Sequence, residues 1–151
     1  MRPFRQLEVH KQGHAFALDV YAVTGAFPRE EMYGLTSQLR RAAVSIPTNI
    51  AEGSARAGDR EFRQFLYNAL GSAAEVEYLL SLARDLGYVP QAKHDELQGR
   101  VVSIKRMLVA FISRLSADED PCARRTPGRT HARPPANSQQ PTANSQPEVR
   151  P

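Results

Sequence analysis

Four polar side chains lie in the stretch Ala42-Ala43-Val44-Ser45-Ile46-Pro47-Thr48-Asn49-Ile50-Ala51-Glu52-Gly53 and just beyond it. They are Ser45, Asn49, Glu52 and Arg56, spaced by four, three and four residues. On a helix that spacing puts them along one side. A hydroxyl, an amide, a carboxylate and a guanidinium in line could form an acid–base or ligand site. Catalysis would need more: a second carboxylate, a catalytic histidine or a set of metal ligands, none of which accompanies Glu52 in sequence. The structural reading is that Ser45, Asn49 and Thr48 satisfy backbone groups beside Pro47. Glu52 then pairs with an arginine, within its helix or across a contact between copies.

His10 and His14, four residues apart, share a helical face at a spacing compatible with a metal. No HExxH pattern and no neighbouring cysteine or third histidine completes a ligand set, so a packed or solvated pair is the expectation. Gly53, Gly58 and Asp59, with Arg56, Arg60 and Arg63, surround a helix start that could receive a phosphate. Neither GxxxxGK[ST] nor GxGxxG occurs, and Asp59 and Glu61 bring negative charge to the same turn. Two glycines flanking a tight interhelical turn suffice to explain the pattern; the alternative is phosphate contact to a nucleic-acid backbone rather than in a nucleotide pocket. Arg40-Arg41 and Lys105-Arg106 are the other basic pairs. Adjacent residues on a helix diverge by about 100°, so each pair straddles two faces. Gly71-Ser72-Ala73-Ala74 and Ala42-Ala43 are small-residue patches that let helices approach closely, in the core or at an interface. The sequence indicates no cofactor and no metal.

The elements that position these residues follow from composition and period. Seven of the eleven prolines fall in the last 35 residues, a segment with no Leu, Ile, Met, Phe, Tyr or Trp and with Ala-Asn-Ser-Gln repeated at 136–139 and 143–146. Such a segment cannot bury enough apolar surface to offset the entropy of ordering, so 117–151 is expected to be a disordered tail beside one folded domain, 1–116. The net charge of +4 is weakly distributed: 15 Lys and Arg against 12 Asp and Glu in 1–116, net +3, and 5 against 4 in the tail, net +1. That balance permits a nucleic-acid partner without requiring one. Cys122 is the sole cysteine, which excludes a disulfide framework and a thiolate cluster. The N-terminal residues hold no apolar signal core and no run approaches a membrane span, so a soluble cytoplasmic protein is expected.

Helical periodicity appears four times in 1–116. The seams are Val9, Gly13, Phe16, Val20 and Val23; Leu35, Leu39, Ala42, Ile46, Ile50 and Gly53; Phe62, Leu66, Ala69, Ala73, Val76, Leu80 and Ala83; and Leu97, Val101, Ile104, Leu108, Phe111 and Leu115. Thr24-Gly25 ends the first helix, Asp59 is read as N-cap of the third, and Leu86-Gly87-Tyr88-Val89-Pro90 stops it. Strand signals are absent. The expected fold is all-α, an antiparallel up-down four-helix bundle. The second seam keeps its phase across Pro47, which predicts one long helix, from about Leu35 to Arg56, kinked where the proline lacks an N–H for the Ala43 carbonyl.

Phe27-Pro28, Tyr33-Gly34-Leu35-Thr36, the run Gln38 to Pro47, Asn49-Ile50-Ala51-Glu52-Gly53, Phe62, Phe65-Leu66, Ala69-Leu70-Gly71-Ser72, Glu75 and Leu86-Gly87-Tyr88 together resemble the intervening-sequence proteins of the large-subunit (23S) ribosomal RNA. The resemblance runs from about Phe4 to Leu115. His10 departs from it, standing where the family usually has tryptophan, and the proline-rich tail lies outside it. What the resemblance implies is a kinked four-helix bundle assembling as a ring, a homopentamer. The family name records that some members are encoded within insertions in ribosomal RNA genes. A related branch comprises accessory proteins of diversity-generating retroelements, basic barrels that engage nucleic acid and a reverse transcriptase. Fold likeness alone does not transfer that role.

The functional expectation is a non-enzymatic, ring-forming binding or assembly module. Arg40, Arg41, Arg56, Arg60, Arg63, Lys105 and Arg106 would supply phosphate contacts to RNA or DNA, with a weak stripe on each copy multiplied around the ring. The rival is a protein-interaction scaffold that docks a partner through its ring or its tail.

Overall fold

The computed structural model describes residues 2–119. Four helices form, α1 (Glu8–Thr24), α2 (Leu35–Ser54), α3 (Asp59–Asp85) and α4 (Gln91–Glu119), with 3-10 turns at Phe4–Gln6 and Arg29–Glu31. Among the described residues there are no strands. Contacts fix the directions. Arg40 of α2 reaches Thr24 and Tyr21 of α1, while Ile46 and Pro47 meet Gly13. Ser45 meets Ser72 of α3, and Gly53 meets Phe62 and Phe65. Glu77 of α3 meets Gln98 of α4, and Arg63 meets Ser116. Each neighbouring pair therefore runs antiparallel, and α1 closes the bundle against α4 through Asp19 and Arg100.

The second and third seams are buried throughout. In the first and fourth, Val23 and Phe111 are only partly buried, and the neighbours Thr24 and Ile112 are covered instead. An α-helix at 3.6 residues per turn drifts from a strict alternation of four and three, so the covered position moves by one near a helix end. Helix α2 is continuous through Pro47, as the unbroken seam predicts, and it ends at Ser54, two residues before the predicted Arg56. The tail read as starting at 117 begins within α4, which runs to Glu119; its remainder lies outside the described residues.

Local chemistry sets the ends. The Glu31 carboxylate accepts the Leu35 N–H at 3.0 Å, satisfying a first-turn donor of α2. Past α3, Gly87 has φ of 79°, the Tyr88 N–H bonds the Ala83 carbonyl and the Gly87 N–H bonds that of Arg84, which is a Schellman stop. The reading of Asp59 as N-cap is corrected: Gly58 takes that position without a side-chain cap, and Asp59 is the first helical residue, its carboxylate bound to Arg2. The Arg2 N–H also bonds the Ser54 carbonyl and its guanidinium lies over Phe62, so the start of the described chain is pinned to the α2–α3 turn.

Candidate interaction surfaces

The polar line around Pro47 is a structural network. Pro47 withholds an N–H from α2, and the next two carbonyls accept side-chain donors: the Thr48 hydroxyl donates to Val44 at 2.9 Å and the Asn49 amide to Ser45 at 2.8 Å. Such back-bonding to the preceding turn satisfies carbonyls and bends helices. The same Asn49 amide also donates to the Ser45 hydroxyl at 2.9 Å. Ser45 lies 2.8 Å from the Ser72 hydroxyl, which donates to the Asn68 carbonyl at 3.1 Å. Every proton in that relay is consumed within the α2–α3 seam. Glu52 takes no part. It is exposed, and among the described residues it forms no ion pair. The expected pairing within its helix is not made, because the Arg56 guanidinium lies over the Phe65 ring, 5.0 Å from its centroid.

Two glycines set the spacing here. A β-carbon on Gly53 would lie 2.6 Å from the Phe65 β-carbon and 2.7 Å from the Phe62 ring, so α2 and α3 touch backbone to side chain. One on Gly13 would meet Ile46 at 3.3 Å and the Pro47 ring at 3.6 Å. Gly71, grouped in sequence with the close-packing residues, is exposed, and a β-carbon there would have no neighbour within 4 Å. In that patch it is Ala73 that enters the core.

The seven basic residues expected to contact phosphate lie on or beside α2, α3 and α4, and several are engaged within the bundle. The Arg40 side chain donates to the Thr24 hydroxyl at 2.8 Å and stacks over Tyr21 at 4.6 Å. Lys105 is bound to Glu77, and Arg63 reaches Ser116. Arg56 covers Phe65. Arg41, Arg60 and Arg106 are exposed, each on a different helix.

Sequence reasoning misses a tighter basic group. Arg5, His10, Lys11 and His14 alone line a cleft of about 350 Å³ beside the first turns of α1. The signal is present in Arg-x₄-His-Lys-x₂-His, but two histidines four residues apart without further ligands read as a packed or solvated pair. Among the described residues no third His, Cys, Asp or Glu joins them. Burial, then the charges of His14 and Arg5, lower the pKa of His10 below the usual histidine value.

Two apolar grooves lie on opposite flanks of the bundle. Between α1 and α2, a groove of about 420 Å³ is lined by Ala17, Leu18, Tyr21, Val44, Pro47 and Ala51, with His10, His14 and Glu52 at its edge. Leu18 is 59% exposed there. Between α3 and α4, one of about 530 Å³ is lined by Leu70, Ala74, Val102, Val109 and Ala110, rimmed by Lys105 and Arg106; Val109 is 50% exposed. No helix among the described residues is long and apolar enough to cross a membrane.

The described residues form an all-α four-helix bundle with an apolar groove on each of two flanks. The family model described as 23S rRNA-intervening sequence protein matches residues 5–110, and the chain belongs to that family. Among solved structures, it is similar to a protein of unknown function from the S23 ribosomal protein family of Bacteroides thetaiotaomicron. The identity is 23% and the TM-score 0.63, over 69% of this chain and 97% of that one. That likeness concerns the fold. A search of curated proteins gave no match.

Proposed function

We propose that this chain is a non-enzymatic cytoplasmic module that joins copies of itself head to tail in a closed ring and presents a repeated basic surface to RNA or DNA. The observation that carries this reading is the pair of unlike apolar grooves on opposite flanks. A patch that must meet a different patch makes a heterologous contact, and heterologous contacts generate rings when the rotation between copies closes. In such a contact the α1–α2 groove of one copy receives the α3–α4 flank of the next. Glu52 stands on one rim and Arg106 on the other, a pair of opposite charge. The family resemblance implies a ring of five copies.

Nucleic acid is favoured as partner by the net charge of +4 and by exposed Arg41 and Arg60, which a ring repeats in every copy. Sedimentation of the full chain tests the assembly: one closed species several times the monomer mass is expected, and a monomer across the concentration range overturns it. A salt titration of binding to labelled single- and double-stranded oligonucleotides tests the partner. Affinity is expected to fall steeply as salt rises. No complex at low salt with any of them rejects nucleic acid and leaves the protein-interaction scaffold.

A further inference from the structure

Elsewhere on the bundle five cations are each answered by an acid. Arg2 meets Asp59, Arg100 meets Asp19, Lys105 meets Glu77, Lys93 meets Glu96 and Arg84 meets Asp85. The cleft beside the start of α1 is different: its lining is Arg5, His10, Lys11 and His14, with no carboxylate among them. The acids nearest in sequence and space are turned to other surfaces. Glu8 accepts from Gln12 at 2.7 Å and lines the cleft facing α4, with Leu7, Met107 and Arg114. Glu52, from α2, shares the lining of the α1–α2 groove with both histidines but does not line this cleft. From the 3-10 turn, Arg2 is held by Asp59, and Arg5 lies over the Phe4 ring at 5.4 Å, which itself packs edge-on against His10.

We infer that this cleft is a phosphate-binding site, with Arg5 and Lys11 as permanent cations and His10 and His14 as cations added by protonation, and that the phosphate it takes belongs to a nucleic-acid backbone. The inference rests on the nucleic-acid reading above and moves its anchor from the scattered arginines to the start of α1. The backbone N–H groups of His10 and Lys11 already bond the Leu7 carbonyl, so the anion is held by side chains. Four cationic groups around one cleft repel each other when it is empty, and an anion between them relieves that repulsion. Binding should therefore draw protons onto the histidines and strengthen as pH falls through the histidine range.

The test measures fluorescence anisotropy of a labelled oligothymidylate on the full chain at about pH 5.5 and about pH 7.5. Wild type, His10→Gln/His14→Gln and Arg5→Gln/Lys11→Gln are compared, with sedimentation showing that each keeps its mass. Wild type is expected to bind roughly tenfold tighter at the lower pH, a gain the double histidine variant loses. The Arg5→Gln/Lys11→Gln variant is expected to bind more weakly at both values, with a salt slope lower by about 1 to 1.5. Binding that is equally strong in all three proteins overturns the site and leaves nucleic-acid binding standing. A second arm follows the His10 and His14 ring protons by NMR as inorganic pyrophosphate is added. Raised midpoints with pyrophosphate but no oligonucleotide complex support a phosphate site and overturn its assignment to a strand. Unchanged midpoints and no complex overturn both.

Discussion

The α2–α3 seam and the cleft at the start of α1 treat polar groups in opposite ways. In the seam, Asn49, Ser45, Ser72 and the Asn68 carbonyl hand hydrogen bonds from one to the next, and Gly53 lets the two helices touch. At the cleft, four cationic or protonatable groups face one another with no acid in the lining. The difference separates polarity that specifies the fold from polarity left over for a ligand. A conspicuous polar motif around a proline belongs to the first kind, and an inconspicuous basic group near the start of the chain to the second.

The sharpest way to break this comparison is Gly53→Val. Its side chain has nowhere to go between Phe62 and Phe65, and a loss of about 2–3 kcal/mol in chemical denaturation is expected, the upper range for overpacking. An unchanged midpoint would mean the seam is looser than described. Ser45→Ala removes the middle of the relay, leaving an Asn49 donor without its hydroxyl acceptor; about 1 kcal/mol should be lost. Gly71→Ala works the other way. With open space around it, the added methyl is expected to raise helix stability by up to about 1 kcal/mol, since glycine costs that much relative to alanine.

The smallest expected effect belongs to the cleft. His10 has a folded pKa below its unfolded value, so the unfolded chain binds more protons as pH falls, and stability should decline as pH drops below the ordinary histidine range near 6.5. Thermal melts of wild type and His10→Gln across that range check the sign: the wild-type curve falls more, and the difference vanishes above it. Added pyrophosphate should shrink the difference, because an anion in the cleft stabilises the charged ring.

The bundle was legible because its signal is a repeated one. Leu35, Leu39, Ala42, Ile46, Ile50 and Gly53 stay in phase across Pro47, and only a continuous helix keeps them on one buried face. The roles of individual charges were not legible, because they depend on which helix stands opposite. Arg40 looks like half of a basic pair, yet α1 brings Thr24 and Tyr21 to it; Lys105 looks free until α3 brings Glu77. Asp59 has the residue type of an N-cap, but it stands one residue inside α3, and Arg2, 57 residues away, binds its carboxylate. The two apolar flanks were likewise hidden: Leu18 and Val109 fall off their helices' seams and gain meaning only as neighbours of exposed residues on the adjoining helix.

Complementation between two blocked chains tests the head-to-tail assembly most directly. Leu18→Glu places a charge in the α1–α2 groove, and Val109→Glu places one in the α3–α4 groove. Each variant alone should sediment as a monomer, while an equal mixture should form a one-to-one dimer through the single intact groove that each still offers. Leu18→Glu alone remaining a dimer, or a mixture that stays monomeric, would contradict a contact between unlike flanks.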